Sequence, residues 1–223
     1  MGRIFEKRKH KMFARFDKMA KAFTRIGKDI AIAVKQGGPN PDNNPRLRLA
    51  IQNAKGVNMP KDRVESAIKR ASSKEEKDFT EVVYEGYAPH GVPVLVECAT
   101  DNPTRTVANI RLHFSKNGGN MGNSGSVSFM FERKGVFKFD PSKLNLDEWE
   151  LDLIDAGAED IQREEEEIIV YTKFADFGAM QKFLEAKKLE ASSSTLQYIP
   201  TTTKELSEAE QDEVMECIGA LEE

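Results

Sequence analysis

The apolar residues in the first third of the chain recur at helical spacing. Between residues 12 and 34 they follow steps of three and four, which places them in one stripe along a helix. Gly37, Gly38 and Pro39 then end that helix. Asn44 and Pro45 are typical of the start of a second helix, and the break at 58–60 opens a third. Their small apolar faces predict a three-helix bundle over residues 1–77.

After residue 77 the pattern changes to strands. Residues 80–87 alternate between apolar and polar side chains, and residues 92–100 are apolar enough for a central strand. Thr104 can cap a following helix, and residues 126–132 are predicted to return as a strand. Strand, strand, helix and strand together predict a central α/β domain that begins at residue 78 and continues to residue 134.

A second unit of mixed elements is predicted over residues 135–199. Its order is βαββαβ, the ferredoxin-like signature, which indicates architecture rather than activity. Ser207 and Glu210 form a capping box for a last helix. If that helix packs back onto the first unit, the central domain comprises residues 78–134 plus 200–223, and the ferredoxin-like unit is an insertion. The predicted fold class is therefore α+β, with an N-terminal three-helix bundle, a central α/β domain and an inserted βαββαβ domain.

Charge is divided sharply between the two parts of the chain. Residues 1–77 carry 20 Lys and Arg against 8 Asp and Glu, whereas residues 78–223 carry 13 against 29. A basic block on an acidic body suggests a polyanionic partner, although the two parts could also attract each other or the basic residues could be solvated helix faces. Residues 3–11 contain too few apolar side chains to pack alone, so we expect a basic arm that is mobile in the free protein.

The basic block is the predicted contact surface for nucleic acid. Lys and Arg neutralise phosphates and release counterions, so binding should weaken steeply with salt. No helix-turn-helix, zinc-finger or aromatic ribonucleoprotein pattern predicts sequence-specific reading of bases. The predicted contact residues are basic side chains of the arm and first helix, with a second patch on the next two helices: Arg3, Lys7, Arg8, Lys9, Lys11, Arg15, Lys18, Lys21, Arg25 and Lys28, then Arg46, Arg48, Lys61 and Arg63.

No catalytic, metal or cofactor motif is recognisable. The histidines, His10, His90 and His113, have no neighbouring carboxylate or cysteine at ligand spacing. The glycine-rich loop 118–125 leaves a predicted helix and enters a predicted strand, whereas a phosphate cradle enters a helix, so a structural loop is favoured. Its backbone N–H groups could still touch a partner. We expect a non-enzymatic protein with no cofactor and no small-molecule substrate.

The remaining composition points to the cytoplasm. Cys98 and Cys217 lie far apart without a pairing pattern, which fits a reducing compartment. No apolar run approaches the roughly 18 residues of a membrane span. The first predicted helix could instead be a basic amphipathic element at a membrane surface. Packing of its stripe on the next two helices explains the same pattern more economically, so we expect no membrane partner.

Five stretches of this sequence are similar to the YebC/PmpR family, which has a mitochondrial translational-activator relative. They are NPRLRLAIQNAK, NMPKDRVESAIKRA, VVYEGYAPHGVPVLVECATDNPTRTVANIR, FSKNGGNMGNSGSVSFMFERKG and SSSTLQYIPTT. The resemblance implies a helical bundle, an α/β domain and a second α/β domain inserted within it. It also implies one of two roles without catalytic residues. One is a DNA-binding transcription regulator; the alternative is a factor bound to ribosomal RNA or the ribosome that assists translation of proline-rich stretches.

Overall fold

Three helices form the first part of the protein. The structure, a computed structural model, describes residues 3–73 and 78–222, with side chains from residue 19 onward. Helix α1 spans Arg3–Gly37, α2 spans Pro45–Gly56 and α3 spans Lys61–Ala71. Their apolar faces meet in one cluster, as the stripes predict. Its buried members include Ile30, Val34, Leu47, Ala50, Val64 and Ala67.

Helix α1 begins well before the apolar stripe does. The sequence places a separate arm at residues 3–11, but the backbone is helical from Arg3 onward. Between Arg3 and Gly27 there is no glycine or proline to stop the helix, and Lys, Arg, Met and Ala favour helical backbone. The backbone of the predicted arm is therefore continuous with helix α1, and the side chains of residues 3–18 lie outside the described residues.

Asn44 joins the end of α1 to the start of α2. Its side-chain oxygen accepts the Leu47 N–H at 3.0 Å and so caps α2. Its amide nitrogen donates to the carbonyls of Ala33 at 2.7 Å and Gly38 at 2.9 Å. One buried side chain therefore satisfies backbone groups of both helices, and both its donor and its acceptor are needed.

A three-stranded antiparallel sheet follows. Strand β1 spans Thr80–Ala88, β2 spans Val92–Thr100, helix α4 spans Pro103–Lys116 and β3 spans Asn120–Met121. The sheet order is β2-β1-β3. Asn102, rather than the predicted Thr104, caps α4: its side chain accepts the Arg105 N–H at 3.0 Å. Pro103 takes the first helical position, which fixes the cap at the preceding residue.

The last helix packs against this sheet. Helix α7 spans Glu208–Leu221, and the predicted capping box of Ser207 and Glu210 is confirmed. Val214 and Cys217 on α7 share one apolar cluster with Tyr84 and Phe114. The chain therefore returns to its first sheet after a long excursion.

The excursion contains a four-stranded antiparallel sheet. Its elements are β4 (Phe131–Phe139), α5 (Leu146–Asp155), β5 (Ala158–Arg163), β6 (Ile168–Lys173), α6 (Phe177–Lys187) and β7 (Ser193–Pro200). The sheet order is β5-β6-β4-β7, and the chain order is the predicted βαββαβ. Phe137, Phe139, Leu153, Ile168 and Met180 form the centre of its core.

The strand predicted at residues 126–132 is wrong for residues 126–130 and right for the last two. Residues Ser128–Met130 form a single 3-10 turn, and the strand begins only at Phe131. The N–H groups of Val127 and Ser128 donate to the Glu85 carboxylate, so they are not available to a neighbouring strand. The alternation of apolar and polar residues in this stretch is typical of a strand, which explains the prediction. The predicted boundary between residues 134 and 135 consequently falls inside β4.

Helix α2 is joined to the edge strand β7 by a side-chain amide. Asn53 donates to the Ser194 carbonyl at 2.9 Å and accepts the Ser194 N–H at 2.8 Å, as a neighbouring strand would. Gly56 lies so close to Ser192, the residue before this strand, that a β-carbon at Gly56 would overlap the Ser192 carbonyl oxygen. This contact fixes the helical part of the protein against the second sheet.

Candidate nucleic-acid interface

Half of the predicted contact residues can be placed in the structure. The side chains of Arg3, Lys7, Arg8, Lys9, Lys11, Arg15 and Lys18 lie outside the described residues. The other seven lie on α1, α2 and α3: Lys21, Arg25, Lys28, Arg46, Arg48, Lys61 and Arg63. All of these except Lys21 can be distinguished by what their charged groups touch.

The two arginines of α2 are engaged within the protein. Arg46 binds Glu81 at 2.6 Å and also donates to Gln36 at 2.9 Å. Arg48 donates to the carbonyls of Pro41 at 2.8 Å and Asp42 at 2.9 Å. Both guanidinium groups therefore hold elements together, and a partner would have to compete with these contacts.

Lys28 faces the central sheet. Its ammonium group donates to the Ala99 carbonyl at 3.0 Å. Beside it on α1, burial raises the pKa of Asp29, an effect that the charges of Arg25 and Arg46 oppose. This side of α1 thus combines basic and acidic groups and joins the bundle to the sheet.

Helix α3 presents a different, more open basic surface. The Arg63 guanidinium lies 5.7 Å from the ring centroid of Phe23 on α1, a cation–π arrangement. Within the described residues, neither Arg63 nor Arg25 forms an ion pair. Lys61 has a 91% exposed side chain, 3.6 Å from Glu65. These groups are accessible to phosphates at little structural cost.

Three further basic residues belong with this surface. Lys55 at the end of α2 and Lys69 and Arg70 in the last turn of α3 are exposed. They were not among the predicted contacts, although the buried positions Val64, Ala67 and Ala71 indicate that neighbouring residues face outward. We call Arg25, Lys55, Lys61, Arg63, Lys69 and Arg70 the open basic surface.

The glycine-rich loop is held by a buried carboxylate. Glu85 on β1 accepts the N–H groups of Gly125 at 2.7 Å, Val127 at 2.8 Å and Ser128 at 2.9 Å. These backbone donors hold the pKa of Glu85 below its ordinary value, although burial opposes them. Within the loop 118–125, the N–H group of Gly125 is thus bound by Glu85, and those of Gly119 and Gly122 donate to the backbone carbonyls of Phe114 and Glu85, which agrees with a structural loop. The following residue, Phe129, is 76% exposed.

The C-terminal helix places carboxylates next to a histidine that has no neighbouring carboxylate at ligand spacing in the sequence. His90, in the turn between β1 and β2, lies 2.9 Å from Glu213 and 3.5 Å from Glu210. Lys204 donates to the His90 carbonyl. Separations of more than a hundred residues hide this cluster from any local pattern.

The described part of the chain contains neither a cluster of metal ligands nor a membrane-spanning helix. No group of three or more His, Cys, Asp or Glu side chains is arranged to hold a metal ion there. Among the helices of residues 3–73 and 78–222, none is long and apolar enough to cross a membrane.

Comparison with known proteins identifies the family. The model of the TACO1/YebC N-terminal domain matches residues 3–74, and that of the TACO1/YebC second and third domain matches residues 79–223. The chain belongs to the TACO1/YebC family. The first match ends at residue 74 and the second begins at residue 79, where the sequence changes from helical to strand patterns.

Relatives of this TACO1/YebC chain are similar over nearly their full length. A probable transcriptional regulatory protein of Anaeromyxobacter dehalogenans is 57% identical over all of this chain and 95% of its own. One of the same name from Myxococcus xanthus is 54% identical with the same coverage. The crystal structure of a conserved hypothetical protein from Aquifex aeolicus superposes with a TM-score of 0.80 at 40% identity, covering 92% of this chain and 85% of that one.

Proposed function

We propose that this TACO1/YebC protein is a non-enzymatic regulator of gene expression that binds DNA through its N-terminal helices. The observation that supports this most directly is the open basic surface on α1, α2 and α3. Its members are exposed, and neither Arg25 nor Arg63 forms an ion pair among the described residues. The names of the relatives, probable transcriptional regulatory proteins, agree with this role.

The proposed contacts comprise two groups. The open basic surface forms one, and the basic residues between Arg3 and Lys18, on the same long helix α1, form the other. Arg46, Arg48 and Lys28 are given a structural role instead, because each already donates to a carboxylate or carbonyl. The proposed binding energy comes from phosphates, so it should depend little on base sequence.

We also propose three domains, in line with the three separate apolar clusters. They are the helical bundle of residues 1–77, the central α/β domain of residues 78–134 plus 200–223, and the inserted domain of residues 135–199. The middle boundary needs a small shift, since β4 begins at Phe131. This division assigns the proposed DNA contacts of the open basic surface to the first domain.

The salt dependence of binding tests the contact surface. Fluorescence anisotropy with a labelled DNA duplex should show that Arg25→Glu combined with Arg63→Glu weakens binding of unrelated sequences equally. Each lost phosphate contact should reduce the slope of log affinity against log salt by about 1. Lys182→Glu, an exposed lysine on α6, is the matched charge reversal outside the surface. An unchanged slope in the double variant would remove the assignment.

Sedimentation of cell lysates distinguishes whether DNA or the ribosome is the partner. Under the proposal, the protein stays at the top of a sucrose gradient at both low and moderate salt. Co-migration with ribosomal subunits that is abolished by ribonuclease and by the same two substitutions would replace DNA with ribosomal RNA. The open basic surface would then bind the phosphates of ribosomal RNA instead of those of DNA.

A further inference from the structure

An arginine lies against two aromatic rings at one end of the second sheet. The Arg133 guanidinium carbon is 4.8 Å from the ring centroid of Phe174 and 5.7 Å from that of Tyr198. Arg133 and Tyr198 are directly opposite each other on β4 and β7, and Phe174 follows the end of β6. Three elements therefore converge on one small cluster, which we call the Arg133 stack.

The Arg133 stack lies outside the apolar cores. Side chains alternate along a strand, so Arg133 shares a face with Phe137, four positions further into the core. Neither Phe174 nor Tyr198 belongs to an apolar cluster of the described residues, and Phe174 is 51% exposed. An aromatic ring left half in water next to a cation contributes little to folding and offers a free face.

The guanidinium of Arg133 also lacks an acceptor. Among the described residues it forms no ion pair and donates no hydrogen bond to a side chain. Lys187 shows the contrast: it lies over Trp149 and Phe183, but it also pairs with Asp152 at 3.6 Å. The stack is thus a cation held in place by ring contacts, with its N–H donors left for another molecule.

The surrounding charges do not repel an anion. Glu132, next to Arg133 on β4, and Glu159 on β5 are both engaged by Lys134, at 3.3 Å and 2.7 Å. Exposed Lys173 directly precedes Phe174 and adds a positive charge. A ligand of the Arg133 stack could therefore contact an exposed aromatic ring face and, beside it, a guanidinium group held in place.

We propose that the Arg133 stack binds single-stranded nucleic acid, with a base stacked on Phe174 and a phosphate held by Arg133. The inference rests on the proposed function and adds to it a contact in a different part of the chain. Base faces are hidden inside a duplex and available in single strands, and aromatic side chains and guanidinium planes are the usual stacking partners. Arg133 can bind a phosphate through two parallel N–H groups.

Binding of a labelled oligouridine of about 12 nucleotides tests the proposal, measured beside a DNA duplex of similar length. Phe174→Ala should weaken binding of the oligouridine about tenfold, a typical loss of one stacked base, and leave its salt dependence unchanged. Arg133→Ala should also reduce the salt slope by about 0.7, the value for one phosphate contact on a single strand. Binding of the duplex should stay at the wild-type level in both variants.

Two controls keep the test specific. Leu151→Ala removes another apolar side chain, 76% exposed on α5, and should leave binding of both probes unchanged. Arg133→Lys keeps the charge but loses the planar fork, so it should retain the salt slope while losing affinity. This conservative change also covers the case in which an alanine variant fails to fold, which circular dichroism would reveal.

The outcomes distinguish this inference from the proposed function. Wild-type affinity for oligouridine in the Phe174→Ala and Arg133→Lys variants, with duplex binding intact, overturns the stack alone. Failure of the wild-type protein to bind either probe overturns both proposals. Tighter binding of a polyglutamate peptide than of oligouridine, lost in Arg133→Ala, would assign the stack to acidic protein segments instead and so also overturn it.

Discussion

The substitution Glu85→Gln tests how the glycine-rich loop is held. Three backbone N–H groups point at the two oxygens of this buried carboxylate, at 2.7, 2.8 and 2.9 Å. Hydrogen bonds to a charged group contribute about 1.5–3 kcal/mol each. Gln keeps the shape and one acceptor, but its amide NH₂ must face an N–H donor.

Loss of the charge and of one acceptor should lower the free energy required to open the loop by about 3 kcal/mol. Since 1.4 kcal/mol is tenfold in an equilibrium constant, the amides of Gly125, Val127 and Ser128 should exchange with solvent roughly a hundredfold faster. Native-state hydrogen exchange by NMR measures this residue by residue. The substitution Glu97→Gln, an exposed position on the neighbouring strand β2, should leave these amides protected.

The same carboxylate predicts a dependence on pH. Its pKa is lowered in the folded protein, because backbone donors favour the charged form. The stabilisation is therefore present above the ordinary pKa of a glutamate, about 4.3, and is lost as the pH falls through the lowered folded value. Protection of the three amides should fall in acid in the wild-type protein and change less in Glu85→Gln. Equal protection in both proteins at neutral pH would refute the account of the loop.

Three substitutions test the packing by urea unfolding, and two of them are paired with a control substitution. The Thr172 hydroxyl is buried without a partner among the described residues, so Thr172→Val should raise the free energy of unfolding by about 1 kcal/mol. The control Thr100→Val removes a hydroxyl that is hydrogen-bonded, so it should lower the free energy of unfolding by a similar amount. Gly56→Ala should destabilise the protein by about 2 kcal/mol or more by forcing α2 away from β7, while Gly27→Ala in open space should be neutral or stabilising. Asn44→Asp should lower the free energy of unfolding by about 2 kcal/mol even though aspartate caps helices well, because its carboxylate would face two carbonyl oxygens. An unchanged free energy of unfolding would contradict the role of this side chain as both donor and acceptor.

Local patterns in the sequence determined most of the secondary structure. The helical stripe of residues 12–34, the Asn44 cap and the Ser207 capping box depend on neighbours within a few residues, so they can be recognised without the fold. The βαββαβ order follows from the same kind of local signal. The segregation of charge, which supports a polyanionic partner, is also a property of the sequence alone.

Only the tertiary structure decided which charged groups are available. Arg46 is 35 residues from Glu81, and Glu85 is 40 residues or more from the loop amides it binds. Chain separations of this size leave no periodic signal, so a basic residue held inside the protein looks the same in sequence as one that is free for phosphate. The wrong strand assignment at residues 126–130 has the same cause. These residues alternate as a strand does, but the N–H groups of Val127 and Ser128 donate to the distant Glu85 carboxylate. Local periodicity fixes helices and strands, whereas long-range hydrogen bonds decide which of their side chains can act.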